Sequence, residues 1–134
     1  MSLRWDSVVV DCHDPRSLAH WWADVLDWQV VLDSEEELVI APEHAAGAGP
    51  LSATQWRTLG PVMVFGVSPD DKQVKNRLHL DLAPHTSDDR DAEIARLVGR
   101  GASPVDIGQG DDLPWTVLAD PEGNEFCVLS ARDR

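Results

Sequence analysis

His79 and Asp81 stand two residues apart in the stretch Lys75-Asn76-Arg77-Leu78-His79-Leu80-Asp81-Leu82. In an extended chain that spacing puts both side chains on one face, with Leu78, Leu80 and Leu82 on the other. Strict alternation of this kind predicts a strand with one buried apolar face. Its second face, carrying an imidazole and a carboxylate, suits the wall of a binding cleft. No serine or cysteine shows a nucleophile signature, so covalent catalysis is not expected. Cys127 alternates onto the same face as Glu125 and reads as a small packing residue. His13, His44 and His85 lie in turns or loops, and His20 falls on the outer side of a helix; all four read as surface residues.

The surroundings must be acidic. The 134 residues carry 11 Lys and Arg against 24 Asp and Glu, a formal net charge of -13. Such a field repels phosphate backbones and anionic membrane surfaces, so neither nucleic acid nor membrane is an expected partner. A neutral or cationic small molecule is compatible. Hydrophobic residues make up 43%, which is enough for a real core and argues against wholesale disorder. No secretory signal and no apolar run of membrane-spanning length is visible, so a cytoplasmic protein with free thiols at Cys12 and Cys127 is expected.

The elements that would position these residues follow in order. Trp5 to Cys12 reads as a strand. Asp14-Pro15 opens a helix, because Asp14 can accept from the free amides of the first turn and proline fits the first helical position. Leu18, Trp21, Trp22, Val25 and Leu26 form its apolar stripe. Trp28 to Leu32 and Glu37 to Ala41 make a hairpin. Pro42 to Gly60 shows no period and reads as a long surface loop carrying Trp56. Pro61 to Val67 is an apolar strand, and Ser68 to Gln73 a polar turn. After the His79 strand, a helix begins between Thr86 and Asp91, has Ile94, Leu97 and Val98 as its stripe, and ends at Gly99 and Gly101 in left-handed conformations. Ser103 to Ile107, Trp115 to Ala119 and Glu125 to Leu129 complete the strands, the last two joined by the turn Asp120-Pro121-Glu122-Gly123-Asn124.

The order strand-helix-strand-strand-strand thus occurs twice, and a ferredoxin-like arrangement leaves strands over. With particular residues, it resembles the vicinal oxygen chelate superfamily, the glyoxalase, bleomycin-resistance and extradiol-dioxygenase group. Val9-Val10-Asp11-Cys12 through Asp14-Pro15, Leu18-Ala19, Trp21-Trp22 and Leu26-Asp27-Trp28 are similar to the opening strand and helix of its glyoxalase-like branch. Lys75 to Leu82 is similar to the strand opening that branch's second module. Leu118-Ala119-Asp120-Pro121-Glu122-Gly123-Asn124-Glu125-Phe126 is similar to its last hairpin. The resemblance implies an α+β fold, one glyoxalase-like domain of two βαβββ modules, residues 5–67 and 77–130, with mixed sheets lining a concave cleft. It also implies a homodimer.

Metal-binding members of that superfamily place ligands on the first and last strands of each module. Carried onto this chain, the resemblance implies His79 and Glu125 as candidate metal ligands in the second module. In the first module the positions fall at Ser7 and near Gly66, so the set is incomplete. A divalent metal is therefore compatible but not favoured, unless Asp11 or Asp81 completes the set. The favoured expectation is a protein that binds a small aromatic or cationic molecule, with Asp11, Trp56, Asp81 and Trp115 lining the cleft. The alternative is a metal-dependent lyase, isomerase or dioxygenase using His79 and Glu125. A close histidine–glutamate pair could also exchange protons without metal. A protein–protein module with a vestigial cleft is a third, weaker reading.

Overall fold

The computed structural model describes residues 3–47, 49–106, 108 and 113–134. The chain divides into two compact units, Met1–Asp71 and Lys72–Arg134.

In the first unit the elements are β1 (Ser7–Cys12), α1 (Pro15–Leu26), β2 (Gln29–Asp33), β3 (Glu37–Ala41), α2 (Ala53–Thr58) and β4 (Val62–Val67). The sheet order is β1-β4-β3-β2. β1 and β4 run parallel, whereas β4–β3 and β3–β2 are antiparallel. The buried face follows from alternation: Cys12, Leu38, Ile40, Met63 and Phe65 are all nearly inaccessible. α1 covers that face with Leu18, Ala19, Trp22 and Ala23. Fully burying a side chain such as Leu18 contributes about 1.5–3 kcal/mol. Trp21 and Trp22 meet edge to face at 5.2 Å, which packs the pair as part of the core edge. Asp14 caps the helix by accepting from the Ser17 amide, and Asp27 ends it in a left-handed conformation with φ 54. The opposite face of this sheet carries Ser7, Val9 and Asp11, and Val9 remains 59% exposed.

The stretch expected as a featureless loop from Pro42 to Gly60 is partly helical. A short 3-10 turn spans Glu43–Ala45, and α2 follows. Ser52 and Gln55 form a reciprocal capping box, each side chain accepting from the other's backbone amide. That pattern is readable in sequence, but a helix of two turns carries too few residues to show a period.

In the second unit the elements are β5 (Asp81–Leu82), α3 (Arg90–Gly99), β6 (Ser103–Pro104), β7 (Thr116–Ala119) and β8 (Glu125–Val128). The sheet order, β5-β8-β7-β6, repeats that of the first unit with the same parallel outer pair. The fold is therefore α+β, with two four-stranded mixed sheets, each built as βαβββ. The expected strand from Lys75 to Leu82 is much shorter, since only Asp81 and Leu82 join the ladder. β8 begins at Glu125, which falls in register with His79, so the chain before His79 has no strand to pair with. Leu78 consequently lies 91% exposed rather than in the core. The short strand Ser103–Pro104 likewise stops before Ile107, which lies outside the described residues. Asp89 caps α3 through the Asp91 and Ala92 amides. Leu97 is its buried residue; Val98, expected on the buried stripe, is 40% exposed. Only Gly101 of the two glycines at its end takes a positive φ. No described helix is long and apolar enough to cross a membrane.

Candidate functional site

The site is built on the β7–β8 hairpin. Asp120 opens its turn, is buried, and accepts from the Glu122 and Asn124 amides and from Asn124 Nδ2. Gly123 supplies the φ of 89 that the turn needs and that a side chain would strain. The tight turn sets the register, pairing Leu118 with Phe126 and Val117 with Cys127. Phe126 and Val128 then point to one face, Glu125 and Cys127 to the other. At the far end Arg90, from the first turn of α3, donates to the Val128 and Leu129 carbonyls and to Thr116 Oγ1. One guanidinium thus ties both strands to the helix.

β5 lies parallel to β8, with Asp81 opposite Cys127 and Leu82 opposite Val128. The Cys127 amide donates to the Leu80 carbonyl at 2.9 Å, and the Leu129 amide to that of Leu82 at 2.7 Å. His79, two residues before Asp81, sits just outside the strand. Its Nδ1 lies 3.1 Å from Asp81 Oδ1 and 3.9 Å from Cys127 Sγ. The His79 and Asp81 side chains are 37% and 47% exposed, while Cys127 is buried beneath them. Burial pushes the Cys127 thiol up, and the charge and hydrogen bond of Asp81 push it further, opposed by Lys75. Both cysteines are free thiols.

Glu125 has a different task. Its Oε1 accepts from Lys72 Nζ at 3.0 Å and its Oε2 from the Asn76 amide at 3.1 Å. Lys72 Nζ also donates to the Val74 carbonyl. The carboxylate therefore fastens the segment leading into β5. Burial alone would raise its pKa. The Asn76 amide and the Lys72 ammonium outweigh that and hold it below the usual carboxylate range. Among the described residues no hydrogen bond joins His79 directly to Glu125.

The remaining candidates belong to both units. Trp115 directly precedes β7 and is 37% exposed. In the first unit Asp11 lies opposite Gly66, where a Cβ would stand 3.7 Å from Asp11 Oδ1. Ser7 faces Val62 across the same pair of strands. Trp56, on α2, is covered on one ring face by the Arg4 guanidinium, 4.8 Å from the ring centroid. Arg4 is itself paired with Asp6. That aromatic face already has a cation of its own. The residue that sequence reasoning undervalued is Cys127, because alternation placed it beside Glu125 but could not show which side chains cross the sheet to meet it.

Paired βαβββ units with parallel outer strands define the class of glyoxalase-like folds. A family model described as "Glyoxalase-like domain" matches residues 7–129, and the chain belongs to that family. Among solved structures, it is similar to a glyoxalase/bleomycin resistance protein/dioxygenase family enzyme from Burkholderia phytofirmans PsJN. The two share 14% identity with a TM-score of 0.69, covering 96% of this chain and 99% of that one. A variant of the fosfomycin resistance protein FosX from Listeria monocytogenes, complexed with manganese(II) and a dihydroxypropylphosphonic acid, shares 9% identity. Its TM-score is 0.66, covering 94% of this chain and 88% of that one. A glyoxalase-related enzyme from Fulvimarina pelagi shares 13% identity with a TM-score of 0.61, covering 93% and 86%. No curated protein sequence matches the chain. At these identities the structural likeness speaks to fold alone.

In the metal-ligand pair that the resemblance implies, His79 with Glu125, the two side chains have different partners: His79 meets Asp81 and Cys127, and Glu125 meets Lys72 and Asn76. Each Glu125 oxygen accepts one bond, Oε1 from Lys72 Nζ and Oε2 from the Asn76 amide.

Proposed function

We propose that this protein binds a small aromatic or cationic molecule at the His79–Asp81 face of its second unit. The observation that carries the reading is the contrast between Glu125, tied inward, and the neighbouring His79–Asp81 pair, left partly exposed at 3.1 Å. An imidazole and a carboxylate held together at a sheet edge offer a ligand both a hydrogen-bonding ring and an anionic partner. The net charge of -13 draws cations and repels anions from the whole surface. Trp115 supplies an exposed aromatic in the same unit, whereas Trp56 already holds Arg4. Membership of a family with small-molecule-binding members supports a small-molecule ligand.

A thermal-shift screen of matched cationic, neutral and anionic aromatic compounds tests it. Cationic or neutral hits should raise the melting temperature and weaken roughly tenfold or more with His79→Ala or Asp81→Asn. Hits that are mainly anionic, or that bind both variants unchanged, would overturn it.

A further inference from the structure

We propose that His79, Asp81 and Cys127 form a binding site for a zinc-class divalent metal ion. It is displaced from the His79–Glu125 pair that the family resemblance suggests. One ligand atom from each residue converges, Nδ1, a carboxylate oxygen and Sγ, with all three within 4.8 Å of one another.

The three residue types choose the chemistry. A thiolate and an imidazole select zinc over magnesium or calcium, and a carboxylate completes a mixed set. Tetrahedral zinc with bonds of about 2.0–2.3 Å sets its ligand atoms roughly 3.5 Å apart. The observed separations of 3.1 Å and 3.9 Å from Nδ1 bracket that figure, and the third is at most 4.8 Å, so rotation of the exposed Asp81 side chain toward Cys127 closes the site. Three protein ligands leave one position open, the pattern of a zinc ion that meets a further molecule.

The scaffold is suited to hold them. Asp81 and Cys127 are direct neighbours across a parallel strand pair, so backbone ladders fix their spacing. Cys127 forms a buried floor, and the partly exposed His79 and Asp81 leave a way in.

A hydrogen-bonded catalytic relay is the competing account, and the geometry argues against it. In such a relay the base meets the nucleophile through one ring nitrogen and its orienting carboxylate through the other. Here Asp81 and Cys127 both address Nδ1. One carboxylate and one thiolate balance the two charges of a dication. Binding breaks the S–H bond, forms the metal–sulfur bond and releases the proton to solvent.

The proposal develops the cation-seeking character of this face but requires no organic ligand, so its test uses metal alone. Full-length protein stripped with a chelator is titrated with cobalt(II) as a spectroscopic probe, then with zinc(II) by calorimetry. One cobalt per chain with a thiolate-to-cobalt charge-transfer band in the near ultraviolet is expected, and zinc should displace it. The band should vanish in Cys127→Ser and persist in Cys12→Ser and Glu125→Gln. Zinc affinity should fall about a hundredfold or more in His79→Gln and in Asp81→Asn, whose exposed side chain can change without disturbing the core. A wild-type cobalt complex without the charge-transfer band would overturn the proposal. So would a band retained in Cys127→Ser, or zinc affinity unchanged in Asp81→Asn.

Discussion

Asp81 and Cys127 are direct partners across the parallel β5–β8 pair, which places a partly exposed carboxylate beside a buried thiol on one face of the second sheet. The pairing makes the thiol hard to ionise, first through burial and then through the carboxylate. In metal-free protein, alkylation of Cys127 should be slow at neutral pH and accelerate only well into the alkaline range. Asp81→Asn should move that acceleration to lower pH. Mass spectrometry of iodoacetamide-treated samples across pH measures it, and an unmoved profile in Asp81→Asn would show that burial acts alone.

Glu125 contributes a pH-dependent part of the stability. Its carboxyl is held below the usual range in the folded chain, so the unfolded chain takes up a proton at higher pH than the folded one does. The stabilisation is therefore complete above the unfolded glutamate value. It is lost as pH falls through the lower, folded value. Glu125→Gln should cost about 1–2 kcal/mol at neutral pH, and less in acid, where the wild-type carboxylate is itself protonated. Urea unfolding at neutral and acidic pH provides the comparison. Amide exchange at Asn76 should also quicken in the variant, because Glu125 Oε2 is the acceptor of that amide.

Asp120 should be the most costly of the turn residues to lose. It is 3% exposed and accepts from two amides and the Asn124 side chain. Asp120→Ala should destabilise the fold by about 2–4 kcal/mol, since it leaves several part-buried donors without this acceptor. Asp120→Asn should keep part of this. Equal losses in the two variants, read by chemical denaturation, would show that the turn depends on charge rather than on hydrogen bonding.

Asp14→Ala should cost about 1 kcal/mol by removing the acceptor for the Ser17 amide at the start of α1. Asp14→Ser should restore most of the loss. Thermal unfolding of the three proteins measures this, and it should leave thiol reactivity at Cys127 unchanged.

Much of the fold was legible because local rules agree with tertiary structure in these segments. Asp14-Pro15 marks a helix start wherever it is followed by an apolar stripe, and α1 runs from Pro15 to Leu26. The apolar run of Glu37–Ala41 and the Asp120–Asn124 turn gave β3 and the last hairpin in the same way. Alternation also put His79, Asp81, Glu125 and Cys127 on like-facing positions. What alternation describes is the direction of a side chain, not its neighbour.

The partners were decided by the strand register and by where each ladder ends. Because β8 starts at Glu125, in register with His79, the apolar alternation has no ladder to extend it at Leu78, which is left in solvent. The segment before β5 is instead held through its Lys72 side chain and Asn76 amide, which occupy the glutamate expected beside His79. The same register sets Asp81 against Cys127. The sequence by itself determined the class of fold and the residues able to do chemistry, since period, caps and turns are local properties. Only the tertiary structure decided which of those residues meet, because pairing across a sheet joins positions some fifty residues apart and follows from the whole ladder at once.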